Sequence, residues 1–264
     1  MIKFFKIEWL KIRSYRAFWV LFGAFIVMYP LAFYFSASKY MEKRVDGMQE
    51  IKAILGTPFV FPKVWHSSAW FGGLFFVMIG MLFILLITNE VQYRTHRQNI
   101  IDGWSRFDFL KAKMSVLIFF VLVSTVLMFI CGLSVGLIFS PNTDHLTEGI
   151  YFIGYFALMA TVYLMVAFMV GILIKRTGLS IIIYFAFVCI VDNILWLVLT
   201  LKDSQVGYYM LLESVDSLVP NPFKPKLLER RTVSDLSLIA AAGCYILLFA
   251  YIITNYFKKS DLKT

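Results

Sequence analysis

Residues Asn89–Lys113, NEVQYRTHRQNIIDGWSRFDFLKAK, form the long polar interruption between apolar runs that carries internal pattern. Arg94, Arg97, Arg106, Lys111 and Lys113 stand against Glu90, Asp102 and Asp108. Short basic loops resist translocation, so the stretch is expected on the cytoplasmic side of a membrane. Ile100, Trp104 and Phe107 fall at i, i+4 and i+7, while Arg94, Gln98, Asp102 and Arg106 recur every four residues on another face. That spacing predicts a short amphipathic helix, interrupted or ended by Gly103. Such a helix either lies in the headgroup layer or docks into a groove on a soluble partner.

The rest of the chain tells what surrounds it. With 60% hydrophobic residues and a mean hydropathy of +0.78, the 264 residues are far more apolar than a soluble domain. The fold class is therefore an all-α integral membrane protein, expected as one transmembrane domain over 1–264. Six apolar runs are long enough to cross a hydrocarbon core, at about 17–37, 67–88, 114–139, 149–174, 178–200 and 236–257. Residues 1–16 mix Lys3, Lys6, Lys11, Arg13 and Arg16 with Ile2, Phe5, Trp9 and Ile12, the pattern of an interfacial helix or of a basic flank that orients the first span. The 201–235 segment is the longest expected outside, with prolines at 220, 222 and 225.

Fifteen of the 25 Lys and Arg residues fall in segments that this topology places inside, close to span ends. Both termini are thus expected to be cytoplasmic, and the net charge of +9 reflects topology rather than nucleic-acid binding. Gly132 and Gly136 form a G-x-x-x-G inside the third span, read as ordinary close packing.

An acidic residue at a span end, then R-T, a short helix, then G-x-S-R, an aromatic and a Lys before the next span resembles the second cytoplasmic segment of type-2 permeases of ATP-binding-cassette (ABC) exporters. The positions are Glu90, Arg94, Thr95, Gly103, Ser105, Arg106, Phe107 and Lys113. Glu8–Ser14, E-W-L-K-x-R-S, is similar to the N-terminal connecting helix of that family. The resemblance implies six spans in a bacterial inner membrane, with 94–108 as the coupling helix on a nucleotide-binding ATPase. Arg94, Thr95, Arg97, Gln98, Ile100, Ile101, Asp102, Gly103 and Trp104 would make the docking contact, with Ile100 and Trp104 as apolar anchor and Arg97 and Asp102 as charge partners. Glu90 and Arg106 would couple that contact to the spans. It also implies two ATPase copies and a second permease chain, identical or homologous, with ATP and Mg bound in the ATPase and no cofactor on this chain.

No chemistry of its own is expected. No Gly is followed by Lys, so a Walker A loop is absent; Cys131, Cys189 and Cys244 have no metal or redox spacing; His66, His96 and His145 have no H-E-x-x-H. No span offers a His beside an acid to complete a triad with Ser134 or Ser180. Asp192, followed by Asn193, is the charged residue deep in a span. An aspartate at a helix centre costs roughly 2.5–3.5 kcal/mol and so faces the bundle or a cavity. It is read either as a pathway contact or as a packing contact, and it supports the alternative of an ion-coupled secondary transporter.

Overall fold

The computed structural model describes residues 2–42, 57–92, 105–201, 204–223 and 231–259. The helices are α1 (Ile2–Arg13), α2 (Arg16–Glu42), α3 (Val64–Gln92), α4 (Arg106–Phe139), α5 (Tyr151–Leu173), α6 (Thr177–Ala186), α7 (Asp192–Leu201), α8 (Glu213–Asp216) and α9 (Asp235–Lys259). A π-helical turn at Phe187–Val191 joins α6 to α7 as one span, and a 3-10 turn at Gln205–Tyr209 precedes α8. No strand occurs among the described residues. Six helices are long and apolar enough to cross a membrane: α2, α3, α4, α5, α6 with α7, and α9. The chain is a multi-pass membrane protein of all-helical class.

The helices outrun the hydropathy signal at several ends. The largest difference is at α4, which starts at Arg106 rather than near 114. Ser105 caps it: its hydroxyl accepts from the Asp108 N–H while Asp108 accepts from the Ser105 N–H, a reciprocal pair that satisfies two otherwise orphaned donors. Arg106–Asp108, expected as the end of the 94–108 segment, are thus the first turn of α4. Residues 93–104 lie outside the described residues. The α2 helix runs on through Pro30.

Burial sorts the helices into two classes. The α3 and α5 helices form the centre, with α2, α6–α7 and α9 around them, the last three turning residues such as Val20, Ile182, Leu247 and Tyr251 outward. An apolar exterior is what lipid tails solvate; between helices, close packing and hydrogen bonds replace the hydrophobic effect as the cohesive term. Both appear. Tyr29 of α2 donates to the Ser68 carbonyl of α3 at 3.0 Å, and the Ser68 hydroxyl donates to the Met128 carbonyl of α4 at 2.8 Å, a buried relay across three spans.

Close packing is set by glycine. A Cβ at Gly136 would stand 2.3 Å from the Phe61 ring, and one at Gly132 would stand 2.9 Å from Trp65, so the G-x-x-x-G seats two aromatic rings. At Gly80 of α3 an added Cβ would meet the Tyr184 hydroxyl of α6 at 2.0 Å, with Tyr184 itself fully buried. Gly80→Ala is therefore expected to force the fifth span outward and lower stability by about 1–3 kcal/mol, the usual cost of overpacking. Thermal melting in detergent reads this, and an unchanged melting temperature would show that Tyr184 swings aside freely.

The two ends of the bundle differ. At one, α1 packs on the start of α4, and Phe109 of α4 meets Phe257 of α9 at 5.4 Å, so both described termini lie together. At the other, residues 204–223 fold inward. The start of α8 reaches Asp192, which lies nine residues, or about 14 Å of helix rise, from the end of α7.

Candidate functional site

The α1 helix holds one acid among its basic residues, Glu8, and Glu8 is almost fully buried. Its burial follows from what it meets. Glu8 Oε2 accepts from Lys113 Nζ of α4 at 2.5 Å, and Glu8 Oε1 accepts from Lys11 Nζ, one turn along α1, at 3.0 Å. Glu90, near the end of α3, completes the ring: its Oε1 accepts from Lys113 at 2.8 Å and from Lys11 at 3.2 Å. Among the described residues two carboxylates and two ammonium groups thus alternate in a cluster of zero formal charge, with Lys113 only 2% exposed. An isolated charge at that depth would cost several kcal/mol, so each member depends on the others being present.

Neighbouring polar contacts extend the cluster. Asn89 Nδ2 donates to the Tyr15 hydroxyl at 2.6 Å, between α3 and the turn after α1. Thr88 donates to Thr177 at 2.9 Å, which brings in the start of α6. A cavity of about 210 Å³ opens beside the ion cluster, bordered by Tyr15, Leu86 and Asn89. The arrangement clamps both roots of the 93–104 link, Glu90 before it and Lys113 after it, to the N-terminal helix. Among the described residues no group of three His, Cys, Asp or Glu is placed to bind a metal. The cluster joins three chain segments through charge.

Burial alone would push the Glu8 carboxyl up, but Lys113 and Lys11 outweigh it and hold the group below the usual carboxylate range. A carboxylate depressed in the folded state contributes stability that is present above its ordinary value and lost as pH falls through the lowered one. Docking of α1 is therefore expected to be pH-independent around neutrality and to weaken only in acid below the ordinary Glu range. Trp9 packs beside Phe18 and Phe119, so its fluorescence reports α1 release. Loss of that signal near neutral pH would show that the ion cluster does not hold the helix.

The residues expected from the sequence separate into three groups. Glu90 stands in the ion cluster. Arg94, Thr95, Arg97, Gln98, Ile100, Ile101, Asp102, Gly103 and Trp104 lie outside the described residues, and Arg106 is in the first turn of α4. Asp192 and Asn193 lie in the other half of the bundle. Asp192 is buried, its Oδ1 accepting from the Leu212 N–H at 3.3 Å and its Oδ2 from the Glu213 N–H at 2.9 Å, so it caps the start of α8. Asn193 is exposed and donates to the Val188 carbonyl in the π-helical turn at 3.1 Å.

Sequence reasoning missed Glu8, Lys11 and Lys113 as ion partners, and Asp216, whose carboxylate accepts from Tyr163 at 2.9 Å. One signal was present: Glu8 is the sole acid in the first 41 residues, an odd choice in a helix meant for an anionic surface.

No curated protein and no solved structure matches the chain. The model of the family described as "Protein of unknown function (DUF2705)" matches residues 20–263, nearly the whole length, and the chain belongs to that family.

Proposed function

We propose that this chain is the transmembrane permease subunit of an ATP-driven ABC exporter in a bacterial inner membrane, with both termini cytoplasmic. The 94–108 segment, up to its junction with α4, would dock on a separate ATPase, two copies of which serve two permease chains and bind the ATP and Mg. What supports this reading most is the ion cluster of Glu8, Lys11, Glu90 and Lys113. A link that receives force from a partner needs stiff roots, and here both roots are tied to each other and to α1 through buried charge. In this scheme ATP-driven closure of the ATPases would displace the link, and the clamp would pass the displacement to α3, α4 and α1 together. The ion-coupled alternative rests on Asp192, whose two oxygens are committed to backbone N–H groups.

The test is recovery of the detergent-solubilised chain from its native membrane. A soluble protein with a Walker A loop is expected at one copy per chain and is expected to be lost when Ile100→Asp and Trp104→Asp are combined, while the permease keeps its melting temperature. Recovery without such a protein would overturn the reading.

A further inference from the structure

Away from the ion cluster, a cavity of about 510 Å³ opens between α3, α5, the π-helical turn with α7, and the inward-folded 204–223 segment. Its walls differ in kind. Trp70, Leu74, Trp196 and Tyr208 supply an aromatic and aliphatic side, while Glu213 and Asp216 of α8 supply carboxylates. The Tyr163 hydroxyl reaches both Asp216 oxygens at 2.9 Å, so its single proton serves one of them at a time. Among the described residues no Lys, Arg or His comes within ion-pair distance of Asp216. Arg231 lines the same cavity, but its guanidinium is committed to the Asp235 carboxylate and the Ser217 carbonyl. Asp192 stands behind α8, adding a third carboxylate to the local count.

We propose that this cavity binds an organic monocation with an apolar body, the charge meeting Asp216 and the body lying against Trp70, Trp196 and Tyr208. The volume is in the range of small-molecule sites. Carboxylates in a partly apolar wall carry a desolvation cost that a counter-cation offsets. Ring faces attract cations and repel anions, and apolar walls disfavour small, strongly hydrated ions. Ligand binding of this kind belongs to this chain alone and stands apart from the ATP-coupling reading.

Burial pushes the Asp216 carboxyl well above its ordinary range, with Glu213 and Asp192 adding to the effect. The groups that face it are Glu213 on its own helix, Tyr163 from α5, Tyr184 from α6 and Asp192 from α7. Arg231, four residues before α9, and Asp235, the first residue of α9, sit nearby. A carboxylate must be ionised to hold the cation, so affinity rises with pH through that raised value.

The experiment is equilibrium dialysis of the full chain in phosphatidylglycerol nanodiscs against labelled tetraphenylphosphonium. Empty discs are subtracted, and tetraphenylborate serves as the anion of equal size. One saturable site is expected for the cation and none for the anion. Asp216→Asn is expected to weaken binding at least tenfold with melting unchanged. Should that variant fail to fold, a pH series on the unmodified chain carries the same test, with binding strengthening toward alkaline pH. An absence of saturable binding above empty discs, equal binding of the anion, or wild-type affinity in a folded Asp216→Asn would overturn the proposal. An ammonium headgroup shares this chemistry. Competition by added phosphatidylethanolamine would mark a lipid as the occupant and its absence a free cation, and either result upholds the cation site.

Discussion

Replacing Lys113 by Met is expected to destabilise the protein by roughly 3–5 kcal/mol, the cost of removing one partner from a buried ion pair. Lys113 is the more buried of two cations that Glu8 and Glu90 share, at 2.5 and 2.8 Å. Without it the two carboxylates keep, among the described residues, the Lys11 ammonium, which is a third exposed and reaches them at 3.0 and 3.2 Å. The cost comes from the stranded carboxylates rather than from a lost attraction, so a second change should relieve it. Glu8→Gln combined with Lys113→Met leaves a single Lys11–Glu90 pair and is expected to recover a large part of the loss. Melting of the purified single and double variants decides the matter. Additive losses would mean that the three elements are held by packing, with the charges incidental. In the exporter reading the single variant should also lower ATPase stimulation even where protein survives, because the roots of the 94–108 segment would then move independently.

The second large effect is expected at Asp192, and the choice of substitute matters. Asp192→Leu leaves the Leu212 and Glu213 N–H groups buried without acceptors, at about 1–3 kcal/mol each. Asp192→Asn keeps one acceptor oxygen and turns an NH2 group toward the other N–H, so it is expected to cost about half as much, one unsatisfied donor at about 1–3 kcal/mol. Hydrogen exchange localised to residues 204–223 is the sensitive readout, since this segment has few other polar anchors on α7. If Asp192→Asn left exchange unchanged but abolished transport, Asp192 would be a pathway residue and the ion-coupled alternative would gain. The reverse outcome, faster exchange with transport intact, would make it a structural cap.

The six spans were legible because hydropathy over about twenty residues is a strong signal and the bilayer fixes the length. Their ends were less so, for a specific reason. Lys111 and Lys113 end the apolar run at 114, yet the helix continues back to Arg106, since a charge inside a helix is tolerated when a partner answers it. The partners Glu8 and Glu90 are remote in sequence, and nothing local announces the pairing. Asp192 was conspicuous as a lone charge in an apolar run, but its partners are backbone N–H groups, which leave no mark in a side-chain pattern. The two helical turns of the 201–235 segment, at Gln205–Tyr209 and Glu213–Asp216, are too short to leave a periodic pattern in the sequence.

The π-helical turn at Phe187–Val191 has a consequence for how chains of this family align. There the Asp192 N–H bonds to the Phe187 carbonyl, five residues back, so the turn stores one residue more than an α-helix would. A relative shorter by one residue at this point would close the ladder to the ordinary spacing and still present its aspartate to α8. Anywhere else in the span the same deletion would swing all that follows by about 100° around the axis, since an α-helix has 3.6 residues per turn. A single-residue gap in an alignment of this span is therefore harmless in one place, and that place is set by geometry rather than by which amino acids fill it.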